Sequence, residues 1–145
     1  MPNWCSNILE INGDKDILSS FRKAAVGFSP WEIPWPDQKP DVLNFHSLMP
    51  IPVRVIKAGY DRKGFAWETT HWGCKWGACD SKVFESKPTR ITYAFDTAWF
   101  PPLKFLERIS KDWPRLVFRI EFRGECGDFA GEATITNGHL VGDRI

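Results

Sequence analysis

Apolar and polar positions alternate along several short stretches of the chain. From Asn3 to Asn12, Cys5, Leu9 and Ile11 fall on one side with Asn7 among them, and Trp4, Ser6, Ile8 and Glu10 on the other. That two-residue period predicts a half-buried strand. Asn12-Gly13-Asp14 then turns the chain, with Asp14 placed as an N-cap. Between Lys15 and Val26 the period lengthens: Ile17, Leu18, Phe21, Ala24 and Ala25 share one helical stripe, and Gly27 closes the helix. Val42, Leu43, Phe45 and Leu48 then predict a second strand within Asp41 to Met49, ended by Met49-Pro50-Ile51-Pro52.

Alternation returns at Thr89. Ile91, Tyr93 and Phe95 interleave with Thr92, Ala94 and Asp96, which is a strand pattern. Pro101-Pro102 suits a helix start, and Leu103, Leu106, Ile109 and Trp113 give that helix its apolar stripe before Pro114 stops it. Leu116, Phe118, Ile120 and Phe122 point inward from the next strand, with Val117, Arg119, Glu121 and Arg123 outward. Phe129 to Thr136 returns as another strand, and Asn137-Gly138 leads into a short final strand, His139 to Val141.

The elements run β-α-β, an irregular stretch, then β-α-β-β with a terminal hairpin. This order predicts an α+β fold: a ferredoxin-like β-α-β-β-α-β sandwich with two helices on one sheet face. The sheet is expected to contain Cys5–Ile11, Ile91–Phe95, Leu116–Phe122 and Phe129–Ile135, with helices near 15–26 and 102–112. One domain spans residues 1–145, and its irregular, Trp-rich insert covers about 50–88. Within the insert Val53 to Ala58 forms a short helix and Gly59 to Gly64 a polar turn.

Composition changes this picture in three places. Pro30, Pro34, Pro36 and Pro40 alternate with Trp31 and Trp35, so Phe28 to Pro40 is an ordered loop rather than a helix or central strand. The chain holds 8 Trp and 11 Phe in 145 residues, enough aromatic area both to close a core and to form a contact surface. Its net charge is only +1, which removes the general electrostatic argument for a nucleic-acid or membrane-surface protein. The insert is locally basic, with Arg54, Lys57, Arg62, Lys63, Lys75, Lys82 and Lys87 against Asp61, Glu68, Asp80 and Glu85. No apolar run is long enough for a transmembrane helix, and no basic, then apolar leader opens the chain. The expectation is a protein of the cytoplasm, with Cys5, Cys74, Cys79 and Cys126 as reduced thiols.

Several separated motifs carry a family likeness: Met1 to Gly13, Leu48-Met49-Pro50-Ile51-Pro52, Trp72-Gly73-Cys74-Lys75-Trp76, Phe95-Asp96-Thr97-Ala98-Trp99 with Pro101-Pro102, and Gly127 to Gly131. Together they resemble the YubB-type ferredoxin-like domain, a family of small proteins of bacteriophages, plasmids and integrated elements. The resemblance covers nearly the whole chain. It implies the fold and a bacterial host cytoplasm, and brings no activity with it. His71 and Cys74 stand where the family pattern has Asn and Thr. Trp4, Trp72, Trp76, Asp96 and Trp99 are the structural residues of these motifs, and the His71–Trp76 segment is expected to pack with Trp99 and Met49–Pro52.

Candidate chemistry is sparse. His71, Cys74 and Cys79, with Cys126 as a fourth ligand, are the one grouping with zinc-type donors, but His-x2-Cys-x4-Cys matches no standard knuckle, and no metal is expected. A nucleophilic Cys5 or Cys126 needs a cationic neighbour to lower its thiol pKa. Cys5 lies on the core face, and Cys126 sits beside Glu125 and Asp128. Asp96, Glu121 and Glu132 can share a sheet face, where pairing with Arg119 and Arg123 is the simpler outcome. No phosphate loop, nucleotide fingerprint or hydrolase elbow occurs, so no catalytic residue and no cofactor is assigned. The open sheet face would offer one aromatic, Trp4, where RNA readers of this fold stack several. What remains is a surplus of Trp in loops, and loops carry function. The expected role is a non-catalytic protein-binding module, with Trp31, Trp35, Trp67 and Lys75 as its contact residues. A single-strand nucleic-acid binder is the first alternative and an enzyme with an unrecognised site the second.

Overall fold

In the computed structural model, which describes residues 3–144, the alternating segments pair into one antiparallel sheet. Its strands are β1 (Trp4–Asn12), β2 (Cys79–Lys87), β3 (Arg90–Ala98), β4 (Val117–Gly124), β5 (Ala130–Thr136) and β6 (His139–Arg144), in the order β2-β3-β1-β4-β5-β6. The first four have the ferredoxin-like arrangement, and the β5–β6 hairpin extends it at one edge. Leu9 lies opposite Tyr93 on β3 and Ile120 on β4, so the inward residues of three neighbouring strands share one layer.

Helices α1 (Lys15–Ala25) and α5 (Leu103–Asp112) cover that layer. The Asp14 side chain accepts the Asp16 backbone N–H at 3.0 Å and so caps α1, as the turn sequence predicts. Leu18, Phe21 and Ala25 of α1, and Phe105, Leu106 and Ile109 of α5, are buried against Leu9, Ile11, Tyr93, Phe118 and Ile120. Phe21 meets Trp113 and Phe118 edge-on at 5.3 and 5.7 Å, a favoured aromatic geometry.

The second strand is not where the apolar pattern puts it. Residues 41–49 form no strand beyond a single bridge between Gly27 and Asp41. Phe45–Leu48 is instead one helical turn, α2, capped by the Asn44 side chain, which accepts the Ser47 N–H at 2.8 Å. The true second strand, β2, lies at 79–87, inside the segment read as irregular insert. It is an edge strand with little buried surface and two register shifts against β3. An edge position needs no apolar alternation, and bulges and charges there protect against strand addition. The irregular stretch is therefore shorter, and it contains α3 (Val53–Ala58), a π-helical turn (Tyr60–Gly64) and α4 (Phe65–His71). The final strand also runs past the expected His139 to Val141.

Candidate functional site

These short helices close the end of the core where β1 begins and β3 ends. Phe45 of α2 lies flat on Phe105 of α5, with centroids 3.7 Å apart and planes at 8°. Trp72 meets Phe45 edge-on at 5.5 Å, and its Nε1 donates to the Met49 carbonyl at 3.2 Å. The Phe105 N–H, in the first turn of α5, donates to the Trp72 carbonyl at 3.2 Å. The 71–76 segment thus packs against the Met49 region, as expected. At the same end Trp4 and Trp76 lie 6.0 Å apart, the Trp99 N–H donates to the Asn3 carbonyl at 2.8 Å, and the Glu125 N–H donates to the Trp4 carbonyl at 2.8 Å.

Behind this end lies a residue that no sequence motif singles out as part of a site. Glu68 of α4 is 1% exposed. Its Oε2 accepts Trp31 Nε1 at 2.9 Å, and its Oε1 accepts the Trp76 N–H at 2.7 Å. The Tyr60 hydroxyl neighbours the same carboxylate, and the Tyr60 ring stands edge-on to Trp31 at 5.3 Å. Gly64 makes this approach possible: a Cβ there would lie 2.6 Å from the Trp31 ring. Burial pushes the Glu68 carboxyl above its ordinary pKa, and the Trp76 and Trp31 donors draw it part of the way back. Burial, followed by the Glu68 charge, raises the Tyr60 phenol. Three chain segments are clasped by this one carboxylate. No local pattern announces it, because its partners lie 37 and 8 residues away.

The four candidate contact residues occupy separate places. Trp67 lines a cleft of about 510 Å³ with Arg54, Val55, Lys63, Ala66 and Thr70, between α3 and α4. Its ring is backed by His71, stacked at 4.4 Å, and by Trp72, edge-on at 5.6 Å. Trp31 lines another cleft, whose rim carries Glu32, Asp41 and Asp80. Trp35 stands 66% exposed in the proline-rich loop. Lys75 is half-buried, with its Nζ over the rings of both Trp76 and Trp99. Trp76 and Trp99 have left-handed backbones, φ 71° and 70°, a conformation that costs a residue with a Cβ about 1–2 kcal/mol.

Cys74 and the half-buried Cys79 are near enough to feel one another's charge, but the zinc-type residues do not gather as a set. His71 is exposed beside Trp67, Cys74 is buried and Cys126 is exposed in the β4–β5 turn. Among the described residues no three His, Cys, Asp or Glu side chains gather as a ligand set. Burial raises the Cys5 and Cys79 thiols to about 11, so neither is a ready thiolate at neutral pH. All four cysteines are unpaired. A thiol reagent should accordingly label one site rapidly in the native protein, at Cys126, and four in denaturant without added reductant. Fewer than four in denaturant would mean that a disulfide forms.

On the open sheet face Arg119 reaches Glu132 of β5 at 3.0 Å and Glu121 of its own strand at 3.3 Å, so one cation holds both acids. Ser6 lies between Asp96 on β3 and Arg123 on β4, and Ile8 between Ala94 and Glu121. Positions that would stack bases in an RNA reader of this fold thus carry small, aliphatic or charged residues.

Residues 71–145 match the family described as "Ferredoxin-like domain in Api92-like protein". Among solved structures the chain is similar to the crystal structure of a protein api92 from Yersinia pseudotuberculosis. The TM-score is 0.79 at 9% identity, over 99% of this chain and 98% of that one, a likeness of fold. No match to the chain is found among curated proteins.

Proposed function

The chain belongs to the family of the ferredoxin-like domain in Api92-like proteins, and on that premise we propose that it is a non-catalytic module that binds an acidic segment of a protein partner in the Trp67 cleft. The observation that carries this reading is the build of the cleft. An aromatic face, backed by His71 and Trp72, shares the cleft lining with Val55, Ala66 and the cationic Arg54 and Lys63. An apolar anchor ringed by charge is how binding hot spots are made, and the cations supply steering and partner choice. Lys57 and Arg62 add to the same sign on this helical hairpin, where Asp61 is the exposed acid.

The motifs at Leu48–Pro52, Trp72–Trp76 and Phe95–Trp99 support a finer placement with YubB-type proteins of phages, plasmids and integrated elements, working in a bacterial cytoplasm. No helix among the described residues is long and apolar enough to cross a membrane. A single nucleic-acid strand is the second reading, favoured by the same pairing of Trp67 with Arg54 and Lys63, since stacking beside cations also suits bases.

Affinity capture from host lysate, with and without nuclease, separates the two. The expected result is a protein retained through nuclease. It should be weakened about 30-fold by Trp67→Ala, the size of a hot-spot loss, and released by Arg54→Glu/Lys63→Glu. Recovery of nucleic acid alone, or capture indifferent to both variants, would overturn the proposal.

A further inference from the structure

Lys75 carries a second, separate feature. Its Nζ sits 4.2 Å from the Trp76 ring centroid and 4.3 Å from that of Trp99, well inside cation–π range of both. Among the described residues its ammonium makes no ion pair, so two π faces are what hold the charge. Both walls are fixed by bonds that do not involve Lys75. The Trp76 N–H is anchored on the buried Glu68 at 2.7 Å, and the Trp99 N–H on the Asn3 carbonyl at 2.8 Å. Both walls also keep a left-handed backbone, a strained state of the kind that clusters at ligand clamps. Trp76 is 43% and Trp99 40% exposed, so both residues that hold the ammonium keep surface that solvent can reach.

We propose that Trp76 and Trp99 form a recognition slot for a methylated lysine side chain of a protein partner, which Lys75 occupies in the free chain and vacates on binding. The occupant in the free chain is already a lysine side chain, which sets the size and chemistry of the ligand. Lys75 is tethered next to Trp76, so its effective concentration is about millimolar or higher. An unmodified lysine from a partner offers the same chemistry and gains nothing by exchange. A methylated ammonium keeps its charge, is less strongly hydrated and adds apolar surface, so it gains more from the two rings. Lys75 acts as an internal competitor that excludes ordinary lysines. The slot shares no residue with the Trp67 cleft, and either reading can fail alone.

Tryptophan fluorescence titrations test this with tetramethylammonium chloride, with sodium chloride as the ionic-strength control, and with a peptide carrying trimethyllysine or unmodified lysine. Lys75→Ala should bind tetramethylammonium and the trimethylated peptide at least about tenfold more tightly than wild type, because the internal competitor is gone. Lys75→Ala/Trp99→Ala should lose the response. Wild type should still respond at the higher concentration, so the test does not depend on how the variants fold. Equal responses in wild type and Lys75→Ala, no response in either, or equal binding of the two peptides would overturn the proposal. Binding of phosphocholine vesicles in preference to the trimethylated peptide would overturn the choice of a protein ligand.

Discussion

Replacing Trp72 with alanine should lower the unfolding free energy by about 3–5 kcal/mol, the range for truncating a large buried aromatic. Trp72 is 2% exposed and joins α2, α4, the Met49 segment and α5. It meets Phe45 and Trp67 edge-on and donates to the Met49 carbonyl. Phe45 in turn lies flat on Phe105 of α5, so the void left behind opens between α2, α4 and α5, where a rigid sheet on one side limits collapse. The lost indole N–H also leaves the Met49 carbonyl without that donor. Trp35→Ala is the control. Trp35 is an exposed loop residue, and its removal should change stability by no more than about 0.5 kcal/mol. Urea unfolding followed by circular dichroism reads both, and equal midpoints for the two variants would refute this account of the insert.

Why these two tryptophans differ was not legible in the sequence, and the reason is physical. Periodicity reports burial within one element. It found β1, β3, β4 and β5, because each sets one face on the helices, and it found α1 and α5 through their stripes. It failed for β2, whose Cys79-Asp80-Ser81-Lys82-Val83-Phe84-Glu85-Ser86-Lys87 is mostly polar because an edge strand buries little on either face. It misread 41–49 because Leu43 and Phe45 keep the two-residue spacing of a strand, whereas Phe45 and Leu48, three apart, share one helical turn. The Asn44-x-x-Ser47 spacing, seen in the structure as a cap, was the available signal for a helix start. The motif residues fared better. The separated motif segments meet in space: Trp72 on Met49, Trp76 on Trp4, Lys75 over Trp99. Segments far apart in sequence therefore each supply one wall of the same aromatic end. Reading exposed loops as contact surface nevertheless spread the candidate residues over separate places, because sequence distance says nothing about which cleft a loop tryptophan lines.

The clasp at Glu68 yields the second large effect. Glu68→Ala should cost about 2–4 kcal/mol, since it strands the Trp31 Nε1–H and the Trp76 N–H in a part-buried site, where each falls in the lower half of the about 1–3 kcal/mol range for an unpaired donor. Proteolysis of the loops around Trp31 and Trp76 should speed up in step. Glu68→Gln keeps the shape but presents an N–H to one of the two donors, so it should be destabilised less than the alanine variant. The two side chains also differ in pH response. Burial holds the folded-state Glu68 carboxyl above its ordinary value, so the native chain binds its proton more tightly than the unfolded chain does. The stability this contributes is complete below the unfolded value, about 4.3, and is lost as pH rises through the folded value. Wild type should therefore hold its largest advantage over Glu68→Gln near about pH 4, and the gap should narrow toward neutrality as a buried charge forms. Urea unfolding of both proteins at several pH values across that range measures the gap directly. A gap that stays flat or widens with pH would mean that the carboxylate is stabilised more by its donors than it is penalised by burial.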